Sequence, residues 1–102
     1  MRIETTDTAD ETTIAVDGDV DLYSSPELRT AVLKAVPKAT TGVGIHLGGV
    51  SYMDSSGVAT LVEGLRSAKE HGKTFSLVAP SASVMKVLEL ARLDSIFEVR
   101  PA

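Results

Sequence analysis

Apolar and polar residues alternate in five short stretches of the chain and recur at helical spacing in three others. The first two stretches, Arg2 to Thr6 and Thr13 to Asp17, are rich in β-branched residues and flank the turn-forming segment Asp7 to Asp10. They predict a hairpin in which the first strand is the weaker partner. Residues 41–47, 73–79 and 96–99 carry the same period-two pattern and predict three further strands.

Three segments have helical spacing, and start or stop signals mark their ends. Ser24-Ser25-Pro26-Glu27 combines capping residues with a proline in the first turn, and Pro37 is predicted to end this helix. A second helix is predicted from Val58 to the His71-Gly72 stop signal, after a connection over residues 50–57. Gly48-Gly49 is predicted to end the strand before that connection. A third helix is predicted to begin at Pro80-Ser81.

The predicted element order is therefore ββαβαβαβ. Strands that alternate with helices imply parallel crossovers, and the leading hairpin implies one antiparallel edge. We expect an α/β fold with a mixed, mostly parallel sheet of about five strands, packed with three or four helices. Residues 1–102 are predicted to form a single domain, since domains typically span ~50–250 residues.

Composition excludes several functional classes. The net charge is −4 and the isoelectric point is near 5.0, which argues against a nucleic-acid-binding surface. There is no cysteine, so thiol chemistry and cysteine-based zinc sites are excluded. No apolar run approaches the ~18 residues of a membrane span, and the N-terminal residues lack a signal-peptide pattern. We expect a cytoplasmic protein without membrane insertion, and a monomer as the default for so small a chain.

The most informative polar segment is Asp54-Ser55-Ser56-Gly57, between a predicted strand and a predicted helix. In one interpretation, a serine caps the helix and Asp54 interacts with its positive end. In the other, Ser56 carries a phosphate that faces the free N–H groups of the helix, and Gly57 lets a partner approach closely. The residue pattern alone leaves both interpretations open.

The second polar segment, Asp17-Gly18-Asp19-Val20-Asp21, follows an apolar strand. Its spacing fails the EF-hand pattern. Residues 13–20 are similar to the motif of haloacid-dehalogenase-type phosphatases, in which Asp17 would be the nucleophile and Asp19 the acid/base, with Mg²⁺. A solvated acidic loop is the simpler interpretation. A serine hydrolase is not supported, because no Gly-x-Ser-x-Gly elbow exists and neither His46 nor His71 lies in a motif.

Two motifs together resemble those of the anti-sigma factor antagonists, in the STAS domain family. Residues 18–22, GDVDL, with Ser25-Pro26-Glu27-Leu28 are similar to the family's G-[ED]-[LV]-D…[AS]-P-x-L. Residues 53–58, MDSSGV, are similar to its [MV]-D-S-[ST]-G-[LV]. The resemblance covers nearly the whole chain, and the paired motifs are specific at this spacing.

The resemblance implies a non-enzymatic regulatory protein. Its unphosphorylated form would bind a serine kinase that is also an anti-sigma factor, and so release the sigma factor or another target. The kinase, which supplies ATP and Mg²⁺, would phosphorylate Ser56, and a serine phosphatase would reset the protein. Asp21, Asp54, Ser55 and Gly57 would belong to the partner-binding surface. The chain itself would need no cofactor.

Other members of the family have other roles. Some are STAS subunits of lipid-transport ABC complexes, which often have Thr where Ser56 stands. The resemblance therefore leaves a transport subunit as the alternative to a regulatory switch.

Overall fold

The computed structural model describes residues 1–101 as one sheet with three helices. The strands are β1 (Arg2–Asp7), β2 (Thr12–Val20), β3 (Gly42–Met53), β4 (Thr74–Val78) and β5 (Glu98–Arg100), and they lie in the sheet in that same order. β1 is antiparallel to β2, and all other neighbouring strands are parallel. The helices are α1 (Ser25–Lys38), α2 (Ser55–Glu70) and α3 (Ala82–Leu90). The predicted order and the mixed sheet are confirmed.

All three helices pack on one face of the sheet. Each parallel strand lies beside the previous one, and parallel crossovers are right-handed, so successive helices fall on the same side. The strand residues that face them are buried and apolar, and they form the core together with the inner faces of the helices. From the strands, this core includes Ile14, Val16, Val43, Ile45, Leu47, Phe75 and Leu77.

The opposite face of the sheet carries small and polar residues, and a charged strap crosses it. The Arg100 guanidinium at the end of β5 donates hydrogen bonds of 2.8 and 3.0 Å to the Glu11 carboxylate, which lies before β2. The strap lies over Gly44, where a Cβ atom would come within 2.6 Å of the guanidinium. These hydrogen bonds link β5, the short edge strand, to the residue that precedes β2, across β3 and β4.

The structure corrects two predicted boundaries. Gly48-Gly49 does not end β3, which continues to Met53 beside the last residues of β2, with register shifts in the pairing. Gly49 admits the close approach of the Asp17 carboxylate, because a Cβ atom there would come within 1.8 Å of it. The second helix begins at Ser55 rather than Val58, so Ser55 and Ser56 belong to its first turn.

The first helix also differs from its predicted ends. Pro37 lies inside α1, one residue before its end, and therefore does not terminate it. Ser24 occupies the N-cap position, but its side chain makes no capping hydrogen bond there and instead contacts the loop that precedes the helix. Because β2, β3 and β4 are parallel, their carboxyl ends and the starts of all three helices meet at one edge of the sheet.

Candidate functional site

The two polar segments singled out in the sequence meet at this edge of the sheet. Val20 and Met53 are register partners at the ends of β2 and β3. The backbone N–H of Asp54 donates to the Val20 carbonyl at 3.1 Å, which fixes one loop against the other. Asp21 and Asp54 therefore follow neighbouring strand ends, and their side chains belong to the same site.

Asp54 is the N-cap of α2. Its Oδ1 atom accepts a hydrogen bond from the Ser56 backbone N–H at 2.9 Å and another from the Gly57 N–H at 3.4 Å. The Ser56 hydroxyl donates to the same oxygen at 2.5 Å. The Ser56 hydroxyl is the main cause that lowers the pKa of Asp54, and the backbone N–H groups of Ser56, Gly57 and Leu22 add to it. Asp54 is therefore held as a carboxylate.

Asp21 organises the loop that leads into α1. Its carboxylate accepts from the backbone N–H groups of Tyr23 and Ser24, each at 3.0 Å, and from the Ser24 hydroxyl at 3.1 Å. The Ser24 N–H is the largest cause that lowers the pKa of Asp21. The neighbouring negative charge of Asp54 raises the pKa of Asp21 and so opposes part of this lowering.

The two serines of the motif differ in their surroundings. Ser55 is exposed, and within residues 1–101 its hydroxyl makes no hydrogen bond to another residue. Ser56 is half-buried, and its hydroxyl is fixed by Asp54. The Ser56 carbonyl accepts a hydrogen bond of 3.0 Å from the buried Thr60 hydroxyl, one turn further along α2.

Gly57 has a different role from the predicted one. It is buried, and a Cβ atom there would come within 2.6 Å of the Met53 side chain and 2.9 Å of Val20. The space left by the missing side chain is therefore directed into the core and not towards a partner. Gly57 lets α2 begin close to the ends of β2 and β3.

The surface around Ser56 is acidic. Residues 17–28 and 48–65 contain no Lys or Arg, while they contribute Asp17, Asp19, Asp21, Glu27 and Asp54 near the strand ends. Two cationic side chains lie at the margins of this surface. Arg2 is the register partner of Asp17 at the β1 edge, and Arg66 lines a shallow pocket together with Ser55. A group that binds over Ser56 therefore meets the Asp54 carboxylate first, with Arg66 further along α2.

Three large apolar side chains lie exposed beside these carboxylates. The exposed fraction is 69% for Leu22, 91% for Tyr23 and 53% for Tyr52. Leu22 and Tyr23 follow Asp21, and Tyr52 lies two residues before Asp54. Sequence reasoning missed this apolar surface, because exposure of these side chains depends on the shape of both loops. The available signal was the position of the two tyrosines beside the motifs, since Tyr23 directly follows residues 18–22 and Tyr52 directly precedes residues 53–58.

The structure does not bring the other chemical candidates together. Asp17 and Asp19 are exposed at the end of β2. In the part of the chain that the structure describes, no group of three or more His, Asp or Glu side chains is placed to hold a metal ion. His46 lies on β3, and His71 lies at the far end of α2, where its ring nitrogen contacts the Ser67 carbonyl. No described helix has the length and apolar character needed to cross a membrane.

The fold and the paired motifs define a STAS domain. Residues 3–99 match the family model described as "Mlab, STAS domain", which covers nearly the whole chain. The chain belongs to this family, as its motifs suggested.

Curated relatives and solved structures agree with that assignment. The chain is 27% identical over 99 residues to the anti-sigma-B factor antagonist of Staphylococcus epidermidis, a match that covers 97% of this chain and 92% of that protein. An anti-sigma factor antagonist from Mycobacterium paratuberculosis has a similar structure, with a TM-score of 0.87 at 22% identity over 99% of this chain and 86% of that one. The anti-sigma factor antagonist SpoIIAA in its unphosphorylated form gives a TM-score of 0.80 at 22% identity, over 96% of this chain and 87% of that one. A structure of Bacillus SpoIIAA in the phosphorylated form is also similar, with a TM-score of 0.74 at 22% identity, over 96% of this chain and 90% of that one.

Proposed function

We propose that this protein is an anti-sigma factor antagonist whose binding to a serine kinase is switched off by phosphorylation of Ser56. In its unphosphorylated form it binds the kinase, which is also an anti-sigma factor, and so releases the sigma factor or another target. A serine phosphatase restores the unphosphorylated form. The chain acts as a substrate and binding partner and not as an enzyme, and ATP and Mg²⁺ belong to the kinase.

The observation that carries this proposal is the position of Ser56 in the first turn of α2, among carboxylates and exposed apolar side chains. The curated relatives named as antagonists match over nearly the whole chain, which supports the same function. Asp21, Asp54 and Ser55 surround Ser56 at the surface, whereas Gly57 supports the site from below.

Electrostatics explains how one phosphate can act as a switch. A phosphoserine adds about −1.5 to −2 charges at pH 7. Placed on Ser56, it lies beside the Asp54 carboxylate, and residues 17–28 and 48–65 offer no Lys or Arg to pair with it. An unpaired charge in an interface typically costs ~3–5 kcal/mol. This cost weakens binding by about two to four orders of magnitude without a change of fold.

The same surface defines the chemistry of its partner. Carboxylates at positions 19, 21 and 54 require basic groups opposite them, and Leu22, Tyr23 and Tyr52 require an apolar surface. Aromatic side chains and charged pairs of this kind are typical of the residues that dominate interface energies. A kinase face with Arg or Lys around an apolar patch fits both requirements.

Substitution of Ser56 tests the proposal. Ser56→Ala cannot accept a phosphate and is expected to stay bound to the kinase in the presence of ATP. Ser56→Asp places a permanent charge in the site and is expected to bind at least 10²-fold more weakly, of the order that an uncompensated interface charge implies. The kinase is first identified by pull-down from the host with Ser56→Ala, and its affinity for both variants is then measured with purified proteins by calorimetry.

A matched control places the same charge one residue away. Ser55→Asp introduces the charge in the same helical turn, at the more exposed of the two serines. We expect this variant to bind the kinase more tightly than Ser56→Asp does. Equal affinity of the kinase for Ser56→Ala and Ser56→Asp would overturn the proposal.

The second candidate function is a STAS subunit of a lipid-transport ABC complex. The matching family model carries the name Mlab, and this is the observation that favours it. In that role the surface around Ser56 would dock an ATPase permanently. The two functions differ in the isolated protein: a subunit co-purifies with its complex at fixed stoichiometry, whereas a switch protein is partly phosphorylated and mostly free.

A further inference from the structure

The two edges of the sheet differ in how they are protected. β5 is only three residues long, and Arg100 links it to Glu11. β1 is six residues long, and within residues 1–101 it pairs with β2 alone, in an unbroken register from Arg2 to Asp7. Natural proteins commonly blunt an exposed edge by short length, lysine, proline or a bulge, and β1 has none of these four features. Its outer backbone groups are therefore available to a further strand.

A groove of about 610 Å³ lies between β1 and α1, beside this unpaired edge. Ile3 and Thr5 line it from the strand, and Ala31 and Ala35 line it from the helix. β1 and α1 run in the same direction, because β1 is antiparallel to β2 and α1 returns from the end of β2 to the start of β3. Since side chains alternate between the faces of a sheet, a strand added to β1 would direct every second side chain into the groove.

The charges along this groove are unevenly distributed. Glu27 lies at the end where α1 begins, and Lys34 and Lys38 lie at the end where α1 finishes. Neither lysine forms an ion pair within residues 1–101. The carboxylate of Asp7, at the same end, accepts a hydrogen bond of 2.9 Å from the Thr12 hydroxyl. The half of the groove that contains the lysines therefore favours an acidic side chain, and the half that contains Ile3 favours an apolar one.

We propose that β1 and this groove form a second docking surface, which binds an extended segment of a partner protein as a sixth strand antiparallel to β1. Main-chain hydrogen bonds to an edge strand supply affinity in this mode of recognition, and side-chain pockets supply specificity. Antiparallel pairing places the first half of the segment beside the lysines. The segment therefore carries an acidic residue and, two positions later, a β-branched apolar residue that packs over Ile3. The surface contains neither Asp54 nor Ser56, so it is independent of the proposed switch.

A second copy of this chain fits the edge less well than such a segment. A two-fold axis through the sheet allows two central registers for antiparallel pairing of β1 with its copy. One register places Glu4 directly opposite Glu4 of the copy, and like charges in that position are destabilising. The other is centred on Thr5 and places Asp7 of the copy opposite Ile3, in the half of the groove that holds Glu27. Both registers reverse the charge pattern that the groove favours or bring like charges together.

A synthetic peptide tests the proposal with the full chain. The probe is the hexapeptide Thr-Thr-Glu-Thr-Val-Thr, acetylated and amidated at its ends, so that its Glu lies opposite Thr5 and its Val opposite Ile3. It is titrated into protein labelled with ¹⁵N, and binding is followed by nuclear magnetic resonance. We expect shift changes in residues 2–7 and on the groove side of α1, and unchanged signals at Asp54 and Ser56. Absence of binding, or shift changes at the Asp54 site instead, would overturn the proposal.

Backbone methylation distinguishes strand addition from simple occupation of the groove. In an antiparallel pair, only alternate residues of a strand direct their N–H groups to the neighbouring strand. Two further peptides carry N-methyl groups at the odd or at the even positions. We expect one of them to bind at least about 10-fold more weakly than the parent peptide, because each lost hydrogen bond costs ~1 kcal/mol, and the other to bind within threefold of it. An equal effect of both patterns contradicts strand addition.

Charge reversal tests the assigned orientation of the segment. We expect Lys34→Glu to weaken binding of the parent peptide about fivefold, as the loss of one cross-strand attraction and the gain of one repulsion imply. A peptide with Lys in place of its Glu is expected to restore binding to this variant. Lys69→Glu is the matched control, because it makes the same change at an exposed residue of α2 outside the groove, and its affinity is expected to stay within twofold of wild type. Equal affinity of wild type and Lys34→Glu would show that the orientation is wrong. A wild-type dimer in sedimentation that the peptide dissociates would assign the edge to a second copy and overturn the choice of partner.

Discussion

At the scale of single residues, the site depends on two carboxylates that satisfy backbone donors. Asp54 caps α2 and holds the Ser56 hydroxyl, and Asp21 holds the turn before α1. The family resemblance placed both residues at the site, because each of the two motifs contains one of them. Sequence reasoning assigned the cap to a serine, however. Which side chain turns towards the free N–H groups depends on the loop conformation.

Acid titration tests the part that Asp54 plays in stability. The pKa of Asp54 is lowered in the folded protein from a reference value of 3.8, chiefly by the Ser56 hydroxyl. Its contribution to stability is therefore present above about pH 4 and is lost as the pH falls through the folded pKa. We expect the free energy of unfolding of the wild type to decrease more steeply below pH 4 than that of Asp54→Asn.

Urea unfolding at pH 7, 4, 3 and 2.5 measures this difference. Glu63 also has a lowered pKa, but Asp54 does not contribute to it, so its titration cancels in the comparison. The Asp54 charge acts on the pKa of Asp21, so the difference between the two proteins measures Asp54 together with its effect on Asp21. A constant difference between the two proteins across this range would contradict the assigned role of its carboxylate.

At the scale of elements, the position of α2 is set by two glycines. Gly57 lets the start of the helix approach Met53 and Val20, and Gly64 lets its middle approach Val32 of α1 and Phe75 of β4. The existence and order of the helices were predictable from hydrophobic periodicity. These contacts were not, because they join residues far apart in the sequence. The extension of β3 past Gly48-Gly49 was missed for the same reason, since its pairing with β2 continues there.

Substitution of Gly64 tests this close packing. A Cβ atom at Gly64 would come within 2.7 Å of Val32 and 2.8 Å of the Phe75 ring. Overpacking of this kind costs ~1–3 kcal/mol, and the better helix propensity of Ala offsets up to about 1 kcal/mol. We expect Gly64→Ala to unfold with a free energy about 1–2 kcal/mol lower than the wild type in a urea titration.

Lys69→Ala is the control for this substitution, because Lys69 is exposed on the same helix. Its effect is expected to stay within about 0.5 kcal/mol. If Gly64→Ala were as stable as Lys69→Ala, the close contact of α2 with α1 and β4 would not be a constraint on the fold.

At the scale of the whole molecule, the sheet acts as a support for one functional edge. Sequential strand order places all helices on one face, and parallel strands bring the starts of the helices to the same edge. The α/β class and this edge were predictable from the alternation of strands and helices. The exposed apolar side chains of Leu22, Tyr23 and Tyr52 required the structure.

Phosphosite mapping by mass spectrometry is the most direct test of Ser56 as the phosphorylated switch. The protein is isolated from its own host under several growth conditions, and the modified fraction of each serine is measured. We expect a phosphate on Ser56, in a fraction that changes with the growth conditions, and none on Ser55. An unmodified protein under every condition, purified with an ATPase at fixed stoichiometry, would contradict the account and would assign Ser56 a role at the start of α2 alone.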